Sequence, residues 1–251
     1  MKINFRVIRG CIFLIVLFLP IICFSQIYHF EVKHSKNDID KQRELIKNAR
    51  VKKVIDHGKY FDEEMIFDKD GKITYDESYQ SGSKEESDGS NKYKYNKKGQ
   101  LIKISYSGGE ASLPSEFTYD ENGNIKYAKY DTYTENCFYD EHNSLIKIQI
   151  DNSAYEGQGC PINIFLYDQN RNLIKADWEC CQGSKNVFNY EYDLSGNLVK
   201  INQESIDCST GKISLKTLMI YSYNELNLPV SIDYSYSDNE KWTEYISYEY
   251  F

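Results

Sequence analysis

A phrase of twelve residues recurs along the chain with small changes: "YKYNKKGQLIKI" from Tyr93, "FTYDENGNIKYA" from Phe117, "CFYDEHNSLIKI" from Cys137, "FLYDQNRNLIKA" from Phe165 and "YEYDLSGNLVKI" from Tyr190. Such a chain folds by stacking copies of one small unit, each burying its apolar side against the next. Aligned on an aromatic residue followed by Asp or Asn, the copies are anchored at Phe67, Tyr95, Tyr119, Tyr139, Tyr167, Tyr192 and Tyr223, with a mean spacing of 26 residues.

The centre of the phrase reads as a tight turn. Four residues after each anchor stand Gly71, Gly99, Gly123, Asn143, Arg171, Gly196 and Asn227. Gly and Asn accept a positive φ at little cost, and Arg171 is the exception. The residue after each anchor is Asp68, Asn96, Asp120, Asp140, Asp168, Asp193 or Asn224, and its side chain can hold the turn by bonding the backbone just ahead. Each unit is therefore expected to be a β-hairpin.

Side chains alternate faces along a strand. With each anchor opposite the residue six positions on, Tyr167 meets Leu173 and Tyr192 meets Leu198, and further out Phe165 meets Lys175, Tyr190 meets Lys200 and Tyr93 meets Lys103. That register predicts a half-wet face of Tyr, Leu and Lys. The buried face is predicted to hold Ile102, Ile104, Ile146, Ile148, Ile174, Ala176, Val199, Ile201, Val230 and Ile232. The same register places Cys160 opposite Cys180 as a disulfide pair. Cys181 and Cys208 form a second candidate pair, and Cys137 is the spare thiol.

Variable polar loops, such as Gln80–Lys92 and Asp151–Gly159, separate the hairpins. The whole reads as an all-β antiparallel meander of 14 to 16 strands, which must curl or spiral to hide its apolar face. The 23 Tyr and 12 Phe fit strands better than helices. Only Asn37–Ala49 reads as a helix, expected to cap the first strand edge.

The first 25 residues carry Lys2, Arg6 and Arg9, then an apolar run from Cys11 to Cys23, then Ser25. This is the pattern of a secretory signal peptide cleaved before Gln26, with an apolar run too short for a membrane span. Residues 26–60 are read as an N-terminal cap with a short helix and first strand, and 61–251 as the repeat domain. Loss of the leader takes the formal net charge from −8 to −11. Such a charge argues against nucleic acid or an anionic membrane surface as partner. The expected location is the periplasm, the cell surface or outside the cell.

The phrases "YEYDLSGNLVKI", "FTYDENGNIKYA" and "FLYDQNRNLIKA" resemble the YD repeats of the Rhs/teneurin-type superfamily, and the resemblance covers Phe67 to Ile232. It implies a spiralling β-sheet, in large members a hollow shell, with roles in cell-surface interaction, glycan binding or toxin encapsulation. This chain is far shorter than a shell-forming member. No Pro- and Asp-rich autocleavage core and no further domain follow the repeats, so toxin delivery is not expected.

Residue patterns for catalysis are missing from the sequence. The four His (His29, His34, His57 and His142) form no HExxH or spaced metal cluster, and there is no GxSxG or phosphate loop. "DKDG" from Asp68 resembles the start of a calcium loop but has Tyr79 where the bidentate Glu belongs. No metal, no cofactor and no enzymatic activity are expected. The candidate ligand-binding residues are aromatic: Trp178, Tyr234, Tyr236, Trp242 and Tyr245, whose flat rings suit sugar faces. The expected role is that of an envelope interaction or scaffold module binding a protein or a glycan. The alternative is a carbohydrate-binding module.

Overall fold

Each copy of the phrase is a hairpin whose turn is built the same way in the computed structural model, which describes residues 36–80, 87–108, 114, 116–151, 162–180, 183–237 and 240–251. In the first copy Gly71 N–H donates to the Asp68 carbonyl at 3.0 Å, while Asp68 Oδ1 accepts from the N–H of Asp70 and of Lys72, both at 2.9 Å. The same residue positions carry the same bonds around Asn96, Asp140, Asp193 and Asn224. The fourth residue is left-handed in all seven copies, with φ from 57° at Asn227 through 65° at Arg171 to 86° at Gly123. The signal-peptide segment lies outside the described residues.

Sixteen strands result. The first group is β1 (Val51–His57), β2 (Phe61–Phe67), β3 (Ile73–Gln80), β4 (Ser87–Tyr95) and β5 (Leu101–Gly108). The second is β6 (Glu116–Tyr119), β7 (Ile125–Lys129), β8 (Thr134–Tyr139), β9 (Leu145–Asp151), β10 (Ile162–Tyr167) and β11 (Leu173–Cys180), followed by β12 (Ser184–Tyr192), β13 (Leu198–Asp207), β14 (Ile213–Tyr223), β15 (Pro229–Tyr236) and β16 (Lys241–Tyr250). Every pairing is antiparallel and between chain neighbours except one, β16 against β1. That pairing turns the meander into a nearly closed wall with one seam, between β5 and β6. The expected all-β antiparallel curved sheet is therefore present.

The faces differ from the simple alternation. Each anchor does pair with the residue six positions on, as in Tyr95 with Leu101 and Tyr167 with Leu173. The register then slips by one in all seven hairpins, so Tyr93 meets Ile104, Phe165 meets Ala176 and Tyr190 meets Ile201. The residue skipped is the seventh after the anchor: Thr74, Ile102, Lys126, Ile146, Ile174, Val199 or Val230. A β-bulge of this kind adds one residue to one strand and turns everything beyond it to the opposite face. Both the Leu before the bulge and the Ile after it then point inward. Leu101, Leu145, Leu173 and Leu198 are buried with Ile104, Ile148, Ala176 and Ile201, whereas Ile146 is 38% exposed and Ile174 41%. The predicted Tyr/Leu/Lys face is corrected accordingly, since the Lys points outward and the Leu inward.

The slip also removes the predicted opposition of Cys160 and Cys180. Asn163 faces Trp178, not Asp177. Cys160 and Cys181 lie outside the described residues. Cys208 carries a free, exposed thiol, so the candidate pairing with Cys181 is not formed, and Cys137 is buried and outside any disulfide.

Anchor tyrosines tie each hairpin to the one before. Tyr95, Tyr119, Tyr139, Tyr167, Tyr192 and Tyr223 donate their hydroxyls to the carbonyls of Ile73, Leu101, Ile125, Leu145, Leu173 and Leu198 at 2.6 to 3.0 Å. These carbonyls lie beyond the last ladder pair with the next strand; for β3 and β4 that pair is Tyr75 with Lys92. The hydroxyl thus satisfies a backbone acceptor that the ladder leaves over. Tyr248 makes a seventh such bond, to the Pro229 carbonyl at 2.5 Å.

The helix α1 (Lys36–Asn48) does not cover a strand edge, because β1 is paired on both sides. It lies across the turn end of the wall. Lys36 N–H reaches Asn124 Oδ1 at 2.9 Å in the β6–β7 turn, and the Arg43 guanidinium reaches the Gly99 carbonyl at 2.9 Å in the β4–β5 turn. The α1 backbone presses so closely on the β2–β3 turn that a Cβ on Gly71 would stand 2.2 Å from the Arg43 carbonyl oxygen. Together with the Tyr119–Leu101 bond, α1 bridges the seam.

Candidate functional site on the inner wall

Strand register decides which predicted site residues meet. Trp242 on β16 pairs with Tyr234 on β15, on the face that carries the core residues Ile232 and Ile246. Tyr234 and Tyr236 both stack on Trp242, with ring centroids 4.8 and 4.7 Å away and planes within 17°. Tyr245, one position out of phase with Glu244 and Ile246, is 62% exposed on the outer face and apart from this group. Trp178 also points inward, but on β11, where it is 5% exposed and packs edge-on to Phe188 at 5.6 Å. The structure therefore gathers three of the five predicted aromatic residues.

Beside the rings lie carboxylates that the sequence reading passed over. Asp56 on β1 pairs directly with Glu63 on β2. Asp76 on β3 pairs with Met65, and Glu244 on β16 pairs with Ile232. All four are on the inner face of four adjacent strands, in the order β16, β1, β2, β3. Asp56 and Asp76 are 4% and 3% exposed. Asp76 fills the slot nine residues after its anchor, which Ile or Ala holds in the other six copies.

Burial decides the protonation of this group. It pushes the Glu63 carboxyl well above the usual range, and the charges of Asp76, Asp56 and Glu244 push it further. Burial lifts Asp76 to about 6 against the opposing hydrogen bonds from Tyr93 Oη and Asn91 Nδ2. Glu244 is raised by burial and held back by the Tyr234 hydroxyl at 2.7 Å. Tyr236 is pushed up to about 12, mainly by burial, with Glu244 and Glu240 adding to it. At the rim, the Lys59 ammonium lies 4.8 Å from the Trp242 ring centre, 4.9 Å from that of Tyr60, and pairs with Glu240.

The turn carboxylates have a different task. Asp68, Asp120, Asp140, Asp168 and Asp193 each accept backbone N–H bonds within their own turn. Those bonds hold Asp168 and Asp193 below the usual carboxylate range, against a rise from desolvation. Among the described residues no three His, Cys, Asp or Glu converge as metal ligands, and no helix is long and apolar enough to cross a membrane.

A search of curated proteins finds no match. Among solved structures, the crystal structure of TcdB2-TccC3-TEV is similar at 14% identity and a TM-score of 0.36, covering 73% of this chain and 10% of that one. A porin-like protein from Bacteroides uniformis is similar at 11% identity and a TM-score of 0.45, covering 81% of this chain and 97% of that one. The chain thus spans about a tenth of the TcdB2-TccC3 chains it matches. The model of the Teneurin YD-shell family matches residues 23–164, more than half of the sequence. This chain belongs to the Teneurin YD-shell family.

Proposed function

We propose that the protein is exported and serves in the cell envelope as a non-catalytic interaction module, presenting its outer wall and variable loops to a protein or glycan partner. The observation that carries this reading is the use of the repeated residues. The acid of each turn is engaged in the turn, and six of the seven anchors bond the preceding hairpin. What repeats builds a wall, and what varies lies on its surface and in its loops. Export rests on the leader-like pattern before Gln26. Recovery from the envelope or medium of a protein whose N-terminus is Gln26 supports it; an intact Met1 in the cytoplasm overturns it.

A second reading, carbohydrate binding, is favoured by the flat stack of Tyr234, Trp242 and Tyr236. The two separate in one screen of envelope polysaccharides by tryptophan fluorescence. Saturable quenching that Trp242→Ala abolishes establishes the glycan reading. No response leaves the protein-partner reading, which affinity capture from the envelope fraction then tests.

A further inference from the structure

We propose that the inner wall of β16, β1, β2 and β3 is a binding site for a small organic polycation, a linear polyamine in chemical class. The inference goes beyond the envelope role and does not depend on it.

Four carboxylates share this wall, and among the described residues the neighbouring cations Lys53 and Lys59 lie on the outer face and at the rim. Lys53, on β1 itself, points to the outer face, where it pairs with Glu64 at 3.2 Å and Glu249 at 2.8 Å. Lys59 stands at the rim with Glu240. The titratable groups that face Glu63 are therefore Asp56, Asp76 and Glu244, with the hydroxyls of Tyr93, Tyr234 and Tyr236 around them.

A second, independent feature is a pair of buried polar atoms left without a partner, one of which can only accept. Asn91 is 9% exposed and gives its Nδ2 to Asp76, yet its buried Oδ1 has no hydrogen-bond partner. Thr217, 4% exposed and paired across the ladder with Tyr236, has a buried Oγ1 without a partner as well. Ionised carboxylates only accept, so the ligand that completes such a wall must donate.

Geometry selects among donors. Carboxylates on four adjacent strands are spread over about 14 Å at the ordinary strand spacing, instead of converging on one point. A metal ion, which needs its oxygens within about 2.0 to 2.6 Å, is poorly served by that spread. Ammonium groups strung along an aliphatic chain fit it, with the methylenes lying on the rings of Trp242, Tyr234 and Tyr236. The protein already places one primary ammonium, that of Lys59, over Trp242. Glu63 and Glu244 keep partial exposure and so can meet a ligand from solution.

Isothermal titration with spermidine, on the full exported chain at physiological salt, tests the proposal. The expected result is saturable one-site binding with quenching of tryptophan fluorescence. The observed enthalpy should vary linearly with buffer ionisation enthalpy, with a slope that reports proton release on binding, and affinity should be at least tenfold tighter at pH 8 than at pH 5.5. Glu63→Gln and Glu244→Gln should each weaken binding at least tenfold. Glu204→Gln, which removes a carboxylate paired with Lys216 at 2.8 Å, should change it less than twofold. Absence of saturable binding by a wild-type protein with native strand content overturns the proposal. So does binding that all three variants weaken alike, which would mark it as diffuse attraction to a net-negative surface.

Discussion

At the scale of the residue, the turn and the anchor carry the repeat, and both are open to simple substitutions. Arg171 adopts φ 65° in a place where Gly stands in four of the seven copies. A non-glycine side chain there costs on the order of 1 kcal/mol. Arg171→Gly is therefore expected to raise the melting temperature by about 2–4 °C, and Gly196→Ala, at φ 82°, to lower it by a similar amount. A melting curve for each variant checks the pair; a fall for Arg171→Gly would mean the arginine side chain earns its place by contacts of its own. Tyr167→Phe removes one hydroxyl from the Leu145 carbonyl, 2.9 Å away, and should lower stability by about 1 kcal/mol in chemical denaturation while leaving the slope unchanged. These features are legible in the sequence because their chemistry is local: an Asp or Asn, two residues, a Gly or Asn. The partner of the anchor hydroxyl is not legible, because it sits one repeat away in the chain.

At the scale of the element, the bulge decides what each strand buries. Nothing in "NLIKA" or "NLVKI" announces an extra residue, since Ile174 and Val199 look as fit for a core as Leu173 and Leu198. Alternation counted outward from the turn therefore assigns the wrong face to the sixth and seventh positions, whereas the ninth, held by Ile104, Ile148, Ala176 and Ile201, is buried as the alternation has it. The inner carboxylates are not legible because Asp and Glu are ordinary surface residues of a strand until its partners are known, whereas Tyr234, Tyr236 and Trp242 are found because aromatic residues draw notice on either face. The four strands that carry Asp56, Glu63, Asp76 and Glu244 have a measurable consequence. Carboxyls raised in the folded state hold protons that the unfolded chain has already released, so their contribution is full below about pH 4 and is lost as pH climbs through 6 and beyond. Asp76 alone, lifted to about 6, represents a few kcal/mol of this dependence. The melting temperature should fall between pH 5 and pH 8, and Glu63→Gln should raise it at pH 8 and flatten the slope. A pH-independent melt in the wild type would show that water reaches these groups freely.

At the scale of the whole molecule, strand number and antiparallel order follow from counting hairpins, but closure does not. The register of β1 against β16 joins Val54 to Tyr248 and His57 to Tyr245 with no shared motif to announce it. Closure covers two edges that would otherwise offer unpaired backbone to other chains. A chain ending at Lys241, without most of β16, should leave β1 and β15 exposed and also lose the Tyr248 bond to Pro229. It is expected to elute as aggregates in size-exclusion chromatography, whereas the full chain elutes as a discrete species; a well-behaved truncated monomer would mean that the remaining wall closes by another route.

The same joint sets the order of assembly. Fourteen of the fifteen strand pairings join chain neighbours and can form as the strands leave the ribosome, each contact reaching back only a few dozen residues. The β1–β16 joint instead unites side chains such as His57 and Ser247, 190 positions apart. Contacts of that separation form last and slowly, because a long loop must first be closed. Until then the carboxylates of β1 and β2 stand in water on one flank of an open sheet, Glu244 has yet to arrive, and the acidic inner wall does not exist. The wall is thus a late product of folding, completed only when the final strand meets the first.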